Sequence, residues 1–349
     1  MKFISLSFFK NVIALLFLCI SFSVVAQKDS LDTVIAEKGE GIYALLRKKG
    51  VNPYETFDAF VALNIDNIRD SIHVYEGRTY KIPIVEKKVE VEETKKAIPN
   101  VMPKAGKGYG IFGKKYRKVS IKSNKLKNAV FYLVAGHGGP DPGAMATYKG
   151  KPIAEDEYAY DITLRLAREL MSHGSLVYII IRDNNDGIRD KRILKIDHDE
   201  VAYQNKVIPL NQLARLKQRV DIVNELYAKH KGQYQRLIVT HVDSRSKGQN
   251  IDVFFYHHEK SKSGKNLAEN IHKTFQKKYK KYQPNRTYSG TFEHRTELYM
   301  VRKTWPAMTF IEIGNIRNKK DQKRILEPDN RQALAKWISE GAILDFQKR

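Results

Sequence analysis

Cysteine is nearly absent from this 349-residue chain: Cys19 is the only one, and it sits in an apolar stretch near the N-terminus. One cysteine closes no internal disulfide and supplies no thiolate set for a structural metal. Any metal would therefore be held by histidine and carboxylate side chains. Long apolar runs are scarce as well. The stretch from Val12 to Cys19 falls well short of the about 20 residues a membrane-spanning helix needs. It follows a basic start (Lys2, Lys10) and leads into Val24-Val25-Ala26 before the polar Gln27-Lys28-Asp29. That is the pattern of a secretory signal over residues 1–26 with a small-residue cleavage site. A lipid-modified Cys19 is set aside because the bulky Leu18 precedes it. The chain is expected to be exported to a periplasm or cell envelope, with no stable membrane anchor.

Acidic residues are the third shortage, 39 against 62 Lys and Arg, for a formal net charge of +23. Loss of Lys2 and Lys10 with the leader would leave +21. Such a balance favours polyanionic surroundings, and export removes nucleic acid from the candidates. A basic surface of solvated lysines accounts for the same number without any partner.

Four stretches are distinguishable. After the leader, residues 33–85 combine a strand-like Thr33-Val34-Ile35, a Gly39-Glu40-Gly41 turn and a helical Ile42-Tyr43-Ala44-Leu45-Leu46. A second helix-like stretch runs from Pro53 to near Asn64, and Gly77-Arg78-Thr79-Tyr80-Lys81-Ile82-Pro83 closes the unit. This order resembles a LysM (lysin motif) module, which implies a small βααβ fold and affinity for N-acetylglucosamine-containing glycans. Residues 86–127 carry alternating charge, Pro99, Pro103 and a lysine-rich run without core periodicity, and are expected to be a linker, although Gly110-Ile111-Phe112 could pack on the next domain.

From 128 to 349 strand-like and helix-like patterns alternate. Ala129 to Val134, Leu176 to Ile181, Leu237 to Val239, Val253 to Tyr256 and Met308 to Ile313 are candidate strands. Ile162, Leu166 and Leu170 mark one helix face, and Leu213, Leu216, Val220 and Val223 another. The expected fold is α/β, a central mostly parallel or mixed sheet flanked by helices.

Functional groups in such sheets gather where strands end. The first strand runs into Gly136-His137-Gly138-Gly139-Pro140-Asp141-Pro142-Gly143-Ala144, Glu155 precedes a helix, His241 follows a strand, and Glu312 sits in Phe310-Ile311-Glu312-Ile313-Gly314. Two imidazoles and a carboxylate can hold zinc with one position open, and a further carboxylate can move a proton. The steps of 18, 86 and 71 residues follow no local ligand rule. On residue chemistry alone, turn histidines and an exposed helix-capping glutamate are the stronger reading.

Taken together, Gly-His-Gly-Gly-x-Asp-Pro-Gly-Ala, Glu155 before a helix, Thr240-His241, and Pro306-Ala307 leading to Ile311-Glu312-Ile313-Gly314 resemble the zinc-dependent N-acetylmuramoyl-L-alanine amidase family. Leu216-Lys217-Gln218-Arg219, Leu298-Tyr299-Met300-Val301-Arg302, Asn318 and Asp321 extend the likeness. The resemblance implies a hydrolase that cuts the amide between N-acetylmuramic acid and L-alanine in peptidoglycan, with His137, Glu155 and His241 as zinc ligands and Glu312 catalytic. Peptidoglycan, as glycan strand and stem peptide, is the implied partner, and a requirement for an activator protein stays open. The alternative is a wall-binding or regulatory protein that keeps the fold without turnover.

This chain departs from the family in having Val242-Asp243 after His241 and Asn315 after Gly314, and in a longer stretch from Gly187 to Asn211. That insert is taken first as a surface loop dispensable for folding, with a regulatory plug or a docking arm as alternatives. Asp156 and Glu157 adjoin Glu155 and could take its place by a one-residue slip. His257-His258 are expected to be solvated, His173 to favour a helix end, and Arg302 to lie on a strand near the catalytic one.

Overall fold

The computed structural model describes residues 32–38, 40–51, 53–68, 74–84, 108–243 and 248–349. The expected leader and the first part of the expected linker lie outside the described residues. The first unit comprises β1 (Thr33–Ile35), α1 (Ile42–Lys48), α2 (Pro53–Leu63) and β2 (Thr79–Lys81). β1 and β2 pair antiparallel with Val34 opposite Tyr80, which gives the βααβ order. Both residues point into a small core with Leu45, Leu46, Phe60 and Ile82. The Asn64 amide brackets Lys81, donating to its carbonyl and accepting from its N–H at 2.8 Å each, and so ties the end of α2 to β2.

The larger body begins at Gly108. After a single turn, α3 (Gly113–Tyr116), come β3 (Ala129–Ala135), the hairpin β4 (Met145–Tyr148) and β5 (Lys151–Ala154), α4 (Glu155–Ser172), β6 (Leu176–Ile179), and the two short strands β7 (Ile181–Arg182) and β8 (Val201–Ala202). Then follow α5 (Gln212–Lys229), β9 (Tyr234–Asp243), β10 (Phe254–His257), α6 (Lys262–Tyr282), β11 (Thr291–His294), α7 (Tyr299–Lys303), β12 (Ala307–Asn315), α8 (Lys319–Leu326) and α9 (Pro328–Gln347).

Six strands form the central sheet in the order β11-β10-β12-β9-β3-β6. All neighbours are parallel except β10 and β12. The sheet is therefore mixed and mostly parallel, with helices on both faces. β3 is buried along its whole length, as a strand covered on two sides requires. Its alternate residues show the two layers. Phe131 meets Tyr234, which meets Phe346 of α9, while Tyr132 stacks on Tyr178 on the opposite face. α9 packs against both α4 and α6. In α4 every residue except Arg168 is buried. Side-chain caps fix helix starts: Asn211 accepts from the Ala214 N–H and Ser261 from the Gly264 N–H.

Several expectations need correction. Ile111, Phe112 and Leu126 are fully buried, so residues 108–127 belong to the body rather than to a linker. Residues 187–211 are not a detachable surface loop, because Ile188, Leu194, Glu200, Ala202, Tyr203 and Ile208 are buried. Leu194 packs in one cluster with Tyr158, Val242 and Ile316. Arg331, with no exposure, donates to the carbonyls of Arg189 and Lys191 at 2.8 and 2.9 Å and pairs with Asp161 at 2.6 Å. Arg302 lies on the exposed side of α7, a helical turn, and not on a strand. His257 is buried against Phe292 rather than solvated. His173 does cap α4, and burial there pushes its pKa down, which disfavours the cation expected at the helix end.

Candidate active site

Three parallel strands, β3, β9 and β12, bring their carboxyl ends side by side, and the sequence places its functional groups there. β3 ends at Ala135, after which the chain turns through His137, Gly138 and Gly139 with φ of 61°, 98° and 62°. Three successive left-handed residues favour glycine, and His137 is held there by its surroundings. The Arg219 guanidinium of α5 donates to the His137 carbonyl at 2.5 Å. His137 Nδ1 lies 3.0 Å from Asp141 Oδ2, and the same oxygen takes Arg215 Nη2 at 2.9 Å. The ring therefore turns its other nitrogen, Nε2, toward Glu155 Oε2 at 3.3 Å.

Glu155 opens α4 directly after the hairpin. Its Oε2 accepts from the Ala144 N–H at 2.9 Å, and Oε1 accepts from the Val242 N–H at 2.9 Å. Oε1 also lies 2.8 Å from His241 Nδ1. The one-residue slip does not occur: Asp156 and Glu157 turn away from the two imidazoles toward Glu200. His241 is in register with Glu312 on the adjacent strand β12. Its ring stacks on Phe310 with centroids 4.4 Å apart and planes 14° from parallel. Phe310 and Glu312 are two residues apart on one strand and share a face, so Glu312 stands beside His241. Its Oε2 is closed off from solvent.

Ligand atoms of His137, Glu155 and His241 lie within 4.8 Å of one another. Two glycines keep this space open. A Cβ on Gly136 would strike the His241 ring, and one on Gly143 would stand 2.6 Å from His137 Cδ2 and 2.7 Å from Glu155 Oε2. Burial alone would discharge these groups, yet the Glu155 and Asp141 carboxylates push the His137 pKa up to about 10. Against the same burial, His137 and His241 hold Glu155 well below the usual carboxylate range. Burial pulls His241 down, against the Glu155 carboxylate, which favours its charged form. The cluster calls for positive charge among two imidazoles and one carboxylate. Nitrogen and oxygen donors at this spacing, with Asp141 orienting His137 from behind, fit zinc.

The structure thus brings His137, Glu155 and His241 together, and strand register sets Glu312 next to His241. Sequence reasoning missed the supporting groups. Asp141 was visible in the glycine-rich loop, four residues after His137. Arg215 and Phe310 had no local signal, and Glu200 lay within the insert. Its Oε2 accepts from the Gly139 N–H at 2.6 Å, which places it against the His137 loop. Asp243 follows on β9, and its side chain lies outside what is described.

The larger body is thus an α/β domain that gathers two histidines and two glutamates at one end of its sheet. A sequence model of the N-acetylmuramoyl-L-alanine amidase family matches residues 132–343, and the chain belongs to that family. It is 23% identical over 224 residues to the germination-specific N-acetylmuramoyl-L-alanine amidase of Bacillus subtilis strain 168, covering 64% of this chain and 82% of the relative. The Clostridioides difficile CwlD amidase, solved in complex with the GerS lipoprotein, superposes with a TM-score of 0.47 at 19% identity, covering 63% of this chain and 99% of that one. Clostridium difficile Cwp6 superposes with a TM-score of 0.44 at 21% identity over 61% of this chain, which spans only 28% of Cwp6. Among the described residues, no helix is long and apolar enough to cross a membrane.

Proposed function

We propose that this chain is a zinc-dependent hydrolase of the amide between N-acetylmuramic acid and L-alanine in peptidoglycan. The observation that carries the proposal is the convergence of His137, Glu155 and His241 within 4.8 Å, with Glu312 in register beside His241. His137 through Nε2, His241 through Nδ1 and Glu155 would hold the metal. Zinc supplies Lewis-acid polarisation of a carbonyl and makes water more acidic.

The protein's own residues account for the remaining chemistry. Glu312 takes a proton from the water that attacks the carbonyl carbon, and returns it to the L-alanine nitrogen as the C–N bond breaks. Asp141 places negative charge beside His137 Nδ1, and Phe310 holds the plane of the His241 ring. Gly136 and Gly143 keep the carboxyl-end crevice open. The 33–85 unit is assigned a LysM-like role: it holds the enzyme on its polymer and raises local concentration without a catalytic group.

Product analysis of digested sacculi by mass spectrometry, with and without a chelator, tests this reading. Intact stem peptides and lactyl-bearing glycan should appear, vanish with the chelator and return with added zinc. Cleavage inside the stem peptide, or turnover indifferent to chelation, would refute it.

A further inference from the structure

A second group of carboxylates lies behind the first, and nothing in the amide-cleaving chemistry uses it. Asp156 and Glu157 follow Glu155 in the first turn of α4, and Glu200 reaches them from the segment between β7 and β8. Their exposures are 1%, 1% and 5%. One oxygen from each lies within 4.8 Å of the others. We propose that Asp156, Glu157 and Glu200 bind a hard divalent cation of the calcium, magnesium or manganese class, separate from the metal at His137, Glu155 and His241.

Several partners are already in place. Glu200 Oε2 accepts from the Gly139 N–H at 2.6 Å, and Glu157 Oε1 from the Asp197 N–H at 3.0 Å. Asp156 Oδ1 accepts from the Glu157 N–H at 2.9 Å. Asp156 Oδ2 is different: it is sealed from solvent and meets no donor among the described residues. A buried carboxylate oxygen left without a donor is costly, and two further carboxylates nearby raise that cost.

The charge available from the protein does not cover the group. Arg189 Nη1 lies 2.7 Å from Glu157 Oε2, but the same guanidinium also pairs with Asp186. The N-terminus of α4 adds about half an elementary charge. Burial pushes all three carboxyls up; ionised together they would exceed the one shared guanidinium by about two charges, which a dication would offset. An all-oxygen donor set selects hard cations, whereas the imidazole set next to it suits zinc.

The position gives the site a structural task. Glu200 holds Gly139 in the His137 loop, and Asp156 adjoins Glu155. A cation bound here would join the 187–211 segment to two of the elements that carry the candidate zinc ligands.

The full secreted chain, loaded with zinc and freed of other metals, should be titrated with Mn2+ while the free ion is followed by electron paramagnetic resonance. One Mn2+ should bind per chain without releasing zinc, and Ca2+ or Mg2+ should displace it. Asp156→Asn and Glu200→Gln should weaken Mn2+ binding at least tenfold and keep their zinc. His137→Ala, which damages only the first site, should still bind Mn2+, so the result does not depend on either carboxylate variant folding. If the zinc-loaded wild-type chain takes up no Mn2+, Ca2+ or Mg2+, the three carboxyls carry protons instead and the proposal fails. It also fails if Mn2+ enters only by displacing zinc, or if both carboxylate variants bind it as tightly as wild type. None of these outcomes bears on the amidase reading, which rests on other residues.

Discussion

Asp141 stands behind His137, with Oδ2 3.0 Å from Nδ1, and Arg215 pins that carboxylate in turn at 2.9 Å. A carboxylate this close to a candidate ligand histidine favours positive charge on the ring and raises its basicity. Asp141→Asn should therefore keep the fold and lower zinc affinity by about 10- to 100-fold, the usual cost of losing such a partner. Competition against a zinc-selective chelator measures this directly. Unchanged affinity would make Asp141 a loop-shaping residue only, acting through the Gly143 N–H that its Oδ1 accepts at 3.1 Å.

The 187–211 segment shows how far a sequence can mislead on an insert. Its charges and scattered apolar residues read as a surface loop, but its backbone supplies acceptors to buried arginines. Arg331 donates to the carbonyls of Arg189 and Lys191, and Arg165 Nη2 reaches the Arg189 carbonyl and Asp190 Oδ1, each at 3.1 Å. Replacing 187–211 with a short Gly-Ser link would strip these partners and uncover Ile188 and Leu194. Removing one side of a buried charged network costs about 3–5 kcal/mol. The variant should melt far below wild type or fail to fold, as circular dichroism would show. A cooperative melt at the wild-type temperature would restore the loop reading.

The sheet and the site were legible for different reasons. β3 is a continuous apolar run because both its faces are covered, β9 and β12 carry shorter ones at Leu237 to Val239 and Phe310 to Ile311, and His137, His241 and Glu312 follow these runs. α6 was also written in the sequence, with Leu267, Ile271, Phe275 and Tyr279 every fourth residue along its buried face. It was missed because the lysines between them mask the stripe. Arg302 was misplaced because the short apolar run Tyr299-Met300-Val301 reads as a strand yet closes into the single turn of α7. Asp141's pairing with Arg215 and the stacking of Phe310 on His241 join residues 74 and 69 positions apart. No local pattern encodes such contacts.

The division of labour between the two units gives a third expectation. Ile111, Phe112 and Leu126 are buried in the larger body, so a truncation that respects the fold ends at Lys107 and not at Lys127. Deleting 27–107 should weaken co-sedimentation with insoluble peptidoglycan while small soluble muropeptides are still cut at near the full-length rate. Equal sedimentation of the two forms would remove the 33–85 unit from wall targeting. Loss of activity on soluble fragments would mean that it contributes to the active site itself.

The last expectation separates holding the metal from moving the proton. Glu312 lies on β12, in register with His241 and on the face its ring occupies, whereas the three close-set ligand candidates are His137, Glu155 and His241. Glu312→Gln preserves shape and removes only the proton-accepting carboxylate. It should keep zinc near wild-type stoichiometry and lose about 10²- to 10⁴-fold in rate, the range for a general acid–base group. His137→Ala and His241→Ala should lose the metal itself, because each leaves two of the three protein ligands. Zinc content by mass spectrometry, followed by titration of zinc back into each variant, distinguishes the classes. If Glu312→Gln loses zinc as completely as the histidine variants, Glu312 belongs among the ligands. If it recovers full activity with excess zinc, it moves no proton and another group must be the base.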